Sequence, residues 1–533
     1  MKKFIDYFKK NSDKIGWILL VLLFVGMNVD VYFKLDASME SDFSSELVLA
    51  KILAQEKRLI TTSWYYSTEL RVVNSNVVSP ILFLFTDNWH LVRILTIVIM
   101  ELFLFAAYYY LAKKLKLKHV PWVGLLVVGA ISYEYYKYAL LCSSYIPHLA
   151  IAFATFGLII SIFEEEDKKK RTGKLIALLA LAYAGGLESI RLMSTTYIPM
   201  VAAAVAYCFF KQFDNLKVGK FDFKDESVRL FVICLLGFIA SFAGAVTNIF
   251  ILPSLGYSYK LDTARINYTD INFDQLSETL SGWLKCLGYQ SDNAEVLTLS
   301  QIILKPLFVV YFVLTIWSTV DILKNKEKYN WYERFIAIFF VVGFAILTLL
   351  FTFTTAWFKN RYLLPISIFS IILIGIFLSH YEIVWQKWTY IALLTIFVLY
   401  STPYQIDFQT KYGSYTEFIQ IKDILLENEC YNGYCGDHWN GHNFLTELSD
   451  GKIETWVYFD NSIDNISEWL QAKDHKTRVP EGKTFIIQYK DVYYDGYDNV
   501  EFKDDVSKYI CYEDDLRILY IFDSYEQLRS HLK

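Results

Sequence analysis

The sequence predicts a polytopic α-helical membrane protein that carries a small α/β domain at its C-terminus. Three observations predict it. The 533 residues are 54% hydrophobic and 18% aromatic, with a mean hydropathy of +0.29, too apolar for a soluble enzyme. The 20% of charged residues fall in blocks between apolar runs. From about Thr402 the pattern changes to short alternating runs with Gly, Asp and Asn turns. A net charge of −5 and a pI near 6.0 give no support for a nucleic-acid partner.

The first apolar run, Gly16–Phe33, lacks a small-residue cleavage pattern and reads as a retained anchor. Further runs lie near 91–112, 120–141, 146–163, 174–190, 192–210, 228–252, 302–323, 334–355, 362–379 and 388–402. At roughly 20 residues per crossing, the expectation is about eleven transmembrane helices. The pair 174–190 and 192–210, separated by Glu188 and Arg191, also fits a broken or re-entrant hairpin. Lys2, Lys3, Lys9, Lys10 and Lys14 precede the first span, which puts the N-terminus in the cytoplasm. Basic clusters at 113–118, 168–171, 211–224 and 324–328 keep the alternation, and the His380–Lys387 loop is its weakest member. An odd span count places the C-terminal domain outside. The expected division is a membrane domain, 1–402, with outer loops at 34–90 and 253–300, and an extracytoplasmic α/β domain, 403–533.

The loop after the first span organises the chain. Asp36, Glu40, Asp42 and Glu46 crowd its start, and Phe43, Leu47, Ala50 and Ala54 recur at helical spacing. This predicts a helix lying at the membrane surface with Asp42 at its beginning. In the second outer loop, Phe273, Leu276, Leu280, Trp283 and Leu287 predict another interfacial helix. In the tail, KIETWVYF, TFIIQYKDVYY and LRILYIF read as strands, and Tyr415–Asn428 and Ser524–Leu532 as helices. Seven scattered cysteines form no disulfide framework, and only Cys430 and Cys435 are spaced for a bridge. The Tyr, Phe and Trp excess reads largely as interfacial anchoring.

Candidate chemistry gathers at span ends on the same side as Asp42. His148 opens a span, Glu188 and Arg191 lie in GGLESIRLM, and Arg361 lies in WFKNRYLLP. Ionisable groups there need a partner or a task. A guanidinium fork that is always charged suits phosphate, and a carboxylate can deprotonate an acceptor hydroxyl. Each has a plainer reading. Asp42 can cap the helix, and Glu40 and Glu46 can be solvated. Arg361 can snorkel, Arg191 can pair with Glu188, and His148 can be an interfacial hydrogen-bonding residue. His438 and His442 have metal-compatible spacing without a third ligand. No cofactor is required by the sequence, though a divalent cation is compatible with it.

The layout resembles the GT-C superfamily of integral-membrane glycosyltransferases, and most resembles a bacterial branch of it. The matching stretches are SDFSSELVLAKILAQEK, WYYSTELRVVN, GGLESIRLM, KNRYLLP and HWNGHNFLTELSDGK. The resemblance implies a polyprenyl-phosphate-linked sugar donor, a cell-envelope acceptor (polymer, glycolipid or protein) and inverting transfer outside the cell membrane. It implies Asp42 as general base, with Glu40 and Asp36 in reserve. It implies Arg361, and secondarily Arg191, on the donor phosphate, while Trp439, Asn440 and Glu447 border the acceptor. Glu40, His148 and Glu188 are further substrate-binding candidates. The acidic doublet of some members is absent, since Ser41 separates Glu40 from Asp42. Two other readings remain: a transporter or flippase of a lipid-linked saccharide, for which Glu101 and Glu134 inside apolar runs are the relevant residues, and a non-catalytic envelope-assembly protein.

Overall fold

The computed structural model describes residues 2–68, 70–188, 190–217, 220–259, 267–269, 271–290, 299–412, 416–490 and 498–533. The chain forms two compact units. One comprises Met1–Asp30, Ile97–Ile249 and Thr263–Asp407; the other comprises Val31–Thr96, Phe250–Asp262 and Phe408–Lys533. The loop after the first span, 34–90, therefore shares a unit with the tail.

Among the described residues, nine helices are long and apolar enough to cross a bilayer, against about eleven expected. Two segments account for the difference. The 120–141 run is broken, because helix Val120–Val128 stops at Gly129 and Ala130 donates its N–H to the Thr402 hydroxyl at 3.0 Å. A π-helical turn, Tyr136–Leu141, follows. The helix over the 174–190 run, Lys168–Glu188, opens on KKKR and keeps only LIALLALAYAGGLE beyond Lys174, short of a crossing. The last span outruns its expected end, as helix Val384–Tyr412.

Lys168–Glu188 runs against Glu226–Val246 along a glycine seam. A Cβ at Gly186 would meet the Ser241 carbonyl oxygen at 1.9 Å, and one at Gly244 would meet the Tyr183 carbonyl oxygen at 2.1 Å. Small residues let two helices in lipid approach backbone to backbone. The helix Phe273–Cys286 forms within 253–300, where the apolar spacing predicted one. It lies on protein through Thr279, Gly282, Trp283 and Cys286, and Trp283 Nε1 donates to Thr348 Oγ1 at 3.0 Å. Phe273 and Leu280 remain exposed.

In the second unit, helix α1 (Ser41–Glu56) departs from the expected surface helix. Leu47, Ala50 and Ala54 pack against Phe83, Trp89 and Val92, while Leu49 and Leu53 pack against Trp64, Tyr66, Leu70 and Leu252. Both faces are covered by protein, so no apolar stripe is left for lipid. A three-stranded sheet of Trp64–Tyr66, Ser258–Tyr259 and Gln471–Ala472 joins loop segments to the tail.

The tail holds a six-stranded sheet: β1 (Asn432–Cys435), β2 (Glu454–Phe459), β3 (Ser462–Ile466), β4 (Thr484–Tyr489), β5 (Ile510–Glu513) and β6 (Arg517–Phe522). Helix α2 (His442–Leu448) links β1 to β2. The spatial order is β3-β2-β1-β4-β6-β5; β1 is parallel to both β2 and β4, and the other pairings are antiparallel. The core is built on Trp456, Tyr458, Ile486 and Phe522. Glu454 opens β2, accepting from His475 Nε2 at 2.9 Å and Arg478 at 2.5 Å. Burial works against its charge, but hydrogen bonds from these two side chains outweigh it and hold the carboxyl at about 2. The expected strands and helices are present over their described parts, with 491–494 of TFIIQYKDVYY and Tyr415 lying outside the described residues, and β1, β3, β5 and α2 are additions. Cys430 and Cys435 are buried thiols and do not form the bridge their spacing allowed; Cys435 Sγ instead donates to the Asp437 carbonyl at 3.2 Å.

Gly186→Leu or Gly244→Leu should lower the thermal midpoint in detergent by several degrees, since a backbone contact cannot yield and overpacking costs about 1–3 kcal/mol or more. Gly173→Ala, with open space around it, should leave the midpoint unchanged or raise it slightly.

Candidate functional site

Each unit carries a polar cluster that contains residues singled out in the sequence. In the first unit the cluster is built on tyrosine. The Arg361 guanidinium lies 4.7 Å from the Tyr138 ring centroid and 5.8 Å from that of Tyr362. The Arg191 guanidinium lies 4.8 Å from the same Tyr362 ring and donates to the Tyr145 hydroxyl at 3.4 Å. His148, buried, stacks on Tyr145 at 5.0 Å. Lys137 Nζ sits 5.6 Å from the Tyr138 ring. Three of the candidates, His148, Arg191 and Arg361, thus come together. Glu188 is the fully buried last residue of its helix.

The backbone around this cluster is irregular. Two π-helical turns, Tyr136–Leu141 and Met193–Tyr197, carry the chain past it; such turns re-aim side chains that a regular helix would hide. The Arg361 segment is fixed from behind. Glu134 accepts from Asn360 Nδ2 at 2.9 Å, and Cys286 Sγ donates to the Asn360 carbonyl at 3.2 Å. Glu134 is therefore a support for the neighbour of Arg361. Glu101 has a support role of the same kind: it accepts from Asn28 Nδ2 at 2.8 Å.

In the second unit the four carboxylates of the first loop go to different partners. Asp36 faces His90 Nδ1 at 3.4 Å. Glu40 is buried and occupies the N-cap of α1 without a side-chain cap bond. Glu46 accepts from Arg71 at 3.1 Å and from Ser75 at 2.7 Å. Neither Glu40 nor Glu46 is the solvated residue that spacing allowed. Asp42 does not cap α1 either; it lies inside the first turn. Its Oδ1 meets His438 Nε2 at 3.2 Å while its side chain stays 43% exposed.

His438 belongs to the loop CGDHWNGH between β1 and α2. In the tail sheet the chain leaves β1 for β2 on one side and returns as β4 on the other. The C-terminal end of β1 is a switch point, where open α/β sheets form their crevices. Asp437 lies there, accepting from the Tyr489 hydroxyl at 3.3 Å. Burial raises its carboxyl, against the opposing effect of His438. Trp439 is 37% exposed. Asn440 is buried, taking Arg517 Nε on its side-chain oxygen at 2.9 Å. Among the described residues no three His, Cys, Asp or Glu side chains converge to hold a metal. His438 and His442 turn their Nδ1 atoms toward each other at 3.2 Å, which spends those atoms on a hydrogen bond rather than on a cation.

The loop and the tail are locked together by one ion pair. Arg93, 2% exposed, donates to both carboxylate oxygens of Glu447 at 2.9 and 2.8 Å and to the Phe43 carbonyl at 2.8 Å. Glu447 is thus a fastening of the first turn of α1, where Asp42 sits. Spacing alone missed this pair, the three tyrosines and the Asp42–His438 contact. The run YEYYKYALLCSSYIPH, with five tyrosines, was the available signal.

No protein-family model and no curated protein matches the chain. Among solved structures, the fold is that of the GT-C membrane glycosyltransferases. ArnT from Cupriavidus metallidurans, solved bound to undecaprenyl phosphate, superposes with a TM-score of 0.54 at 10% identity, over 94% of this chain and 97% of that one. Two structures from Archaeoglobus fulgidus are also similar. Its oligosaccharyltransferase AglB with an inhibitory peptide and a dolichol-phosphate gives 0.47 at 11% identity, over 90% and 70%. An oligosaccharyltransferase with Zn and sulfate gives 0.43 at 11%, over 87% and 67%.

Glu447→Ala, which strands a buried guanidinium, should destabilise the protein by about 3–5 kcal/mol, read as a drop in thermal midpoint. The paired change Arg93→Met with Glu447→Leu should recover most of that loss.

Proposed function

We propose that this protein is a membrane glycosyltransferase that moves a sugar from a polyprenyl-phosphate carrier to a cell-envelope acceptor, with inversion, on the outer face of the membrane. The observation that carries the reading is the meeting of two guanidinium groups, Arg191 and Arg361, on one tyrosine at the ends of spans. The GT-C fold, shared with a protein that was solved holding undecaprenyl phosphate, supports it.

Two neighbouring cations over aromatic faces make a receptacle for a doubly charged oxygen anion, because like charges repel until an anion joins them. In the reaction, the acceptor hydroxyl oxygen attacks the anomeric carbon as the bond from that carbon to the phosphate oxygen breaks. The departing phosphate keeps the electron pair, and Arg361 and Arg191 stabilise the charge it gains. Asp42 takes the hydroxyl proton. Attack opposite the leaving group inverts the anomeric centre. His148 fixes Tyr145, which Arg191 uses as its acceptor, and Glu188 is a further substrate-binding candidate. Glu40, buried beneath the same turn, shapes the approach to Asp42. Trp439 and Asp437 offer an aromatic face and a hydroxyl acceptor to the incoming substrate. The basic N-terminus stays in the cytoplasm, and the tail faces outward with Asp42.

The test is sugar release from a polyprenyl-phosphate donor by purified protein. Asp42→Asn should lower turnover by about 10²–10⁴-fold, the usual range for a lost general base. Arg361→Ala should lower it by about 10²–10³-fold, with Arg361→Lys recovering part. Unchanged turnover in both Asp42→Asn and Arg361→Ala would remove the site assignment.

A further inference from the structure

Two histidines continue the hydrogen-bond line from Asp42 into the tail. His438 Nε2 faces the Asp42 carboxylate at 3.2 Å, and its Nδ1 faces His442 Nδ1 at 3.2 Å. The line runs from an exposed carboxylate through His438, 7% exposed, to His442, 1% exposed. A bond between two imidazole nitrogens holds one proton, so the tautomer of one ring sets that of the other. Burial, above all, holds His442 neutral, well below the usual histidine range.

A neutral His442 that donates from Nδ1 leaves His438 Nδ1 as acceptor. The proton of His438 then lies on Nε2, aimed at Asp42. The opposite tautomer would turn a bare nitrogen lone pair toward an ionised carboxylate, which is repulsive. We propose that the His442–His438 pair is a tautomer lock that keeps an N–H directed at the Asp42 carboxylate, making His438 a positioning residue for the general base. This rests on the reading of Asp42 as that base.

The lock holds Asp42 ionised and oriented before each transfer. Once Asp42 has taken the acceptor proton, both histidines keep their own protons, because the Asp42 side chain is 43% exposed and faces water directly. The proton then leaves through the exposed carboxyl to water. Other charged groups near the line are Asp437, beside His438; His475 with its partner Glu454; and the Arg93–Glu447 pair, held on the Phe43 carbonyl. Asp437 is tied to Tyr489, Glu454 to His475 and Arg478, and Glu447 to Arg93.

The experiment measures donor turnover by the full-length protein in detergent from pH 5 to 9, with thermal midpoints alongside. His438→Asn withdraws the donor from Asp42, whereas His438→Gln places an amide N–H near the position of Nε2. The expected result is a loss in kcat of tenfold or more for His438→Asn, with KM unchanged. Its acid limb should move to higher pH, because a carboxylate that loses a donor is harder to ionise. His438→Gln should stay within a few-fold of the wild type. His442→Phe, which fills the ring volume but frees the tautomer, should lose about five- to tenfold and serves if His438→Asn does not fold. Three outcomes overturn the proposal: unchanged kcat and acid limb in His438→Asn, or in His442→Phe where His438→Asn does not fold; equal losses in the Asn and Gln variants that track the thermal midpoint; or unchanged turnover in Asp42→Asn. The last also removes the base itself, whereas an inactive Asp42→Asn beside a wild-type-like His438→Asn removes the lock alone.

Discussion

A single buried ion pair, Arg93 with Glu447, governs the geometry of the second unit. Its fork uses two hydrogen bonds on the carboxylate and a third on the Phe43 carbonyl. A buried pair of this kind contributes modest net stability, but it punishes any arrangement that leaves one partner alone. The first turn of α1 and helix α2 of the tail are thereby held in one relation, and Asp42 and His438 meet because of it. Apolar packing of Leu47 and Ala50 on Phe83 and Trp89 supplies the bulk of the burial; the ion pair supplies the register.

The first unit solves a different problem. Cations near lipid are costly unless something offsets their charge. Here aromatic faces do part of that work through cation–π contact, and Tyr362 serves two arginines at once. The π-helical turns are how two continuous apolar segments release the side chains that build this patch. Glu134, bonded to Asn360, ties down the residue beside Arg361.

Much of the architecture was legible because it follows from local periodicity. Apolar runs of the right length gave most of the spans, and alternation gave β2, β4 and β6. The 120–141 run misled because hydropathy averages over a window and does not register a break at Gly129 whose backbone is completed by Thr402, far away in sequence. The helix at α1 was legible and its surroundings were not: amphipathic spacing cannot tell a lipid interface from a protein cover. Aromatic abundance, read as anchoring, concealed Tyr138, Tyr145 and Tyr362. The Asp42–His438 contact spans 396 positions, so neither residue carries a local mark of the other. Glu447 was marked by its motif, but its role as a fastening is visible only once Arg93 is beside it.

The distance along the chain between Arg93 and Glu447 bears on biogenesis. They are 354 residues apart, and at about 5–20 residues per second of synthesis roughly 20–70 seconds pass before the second follows the first. Throughout that interval α1 lacks its tail partner, with the Arg93 charge unanswered by Glu447. Maturation of this unit therefore waits on synthesis of the tail, and the nascent first loop is the stage at which a membrane-associated holding factor or a protease would find it open.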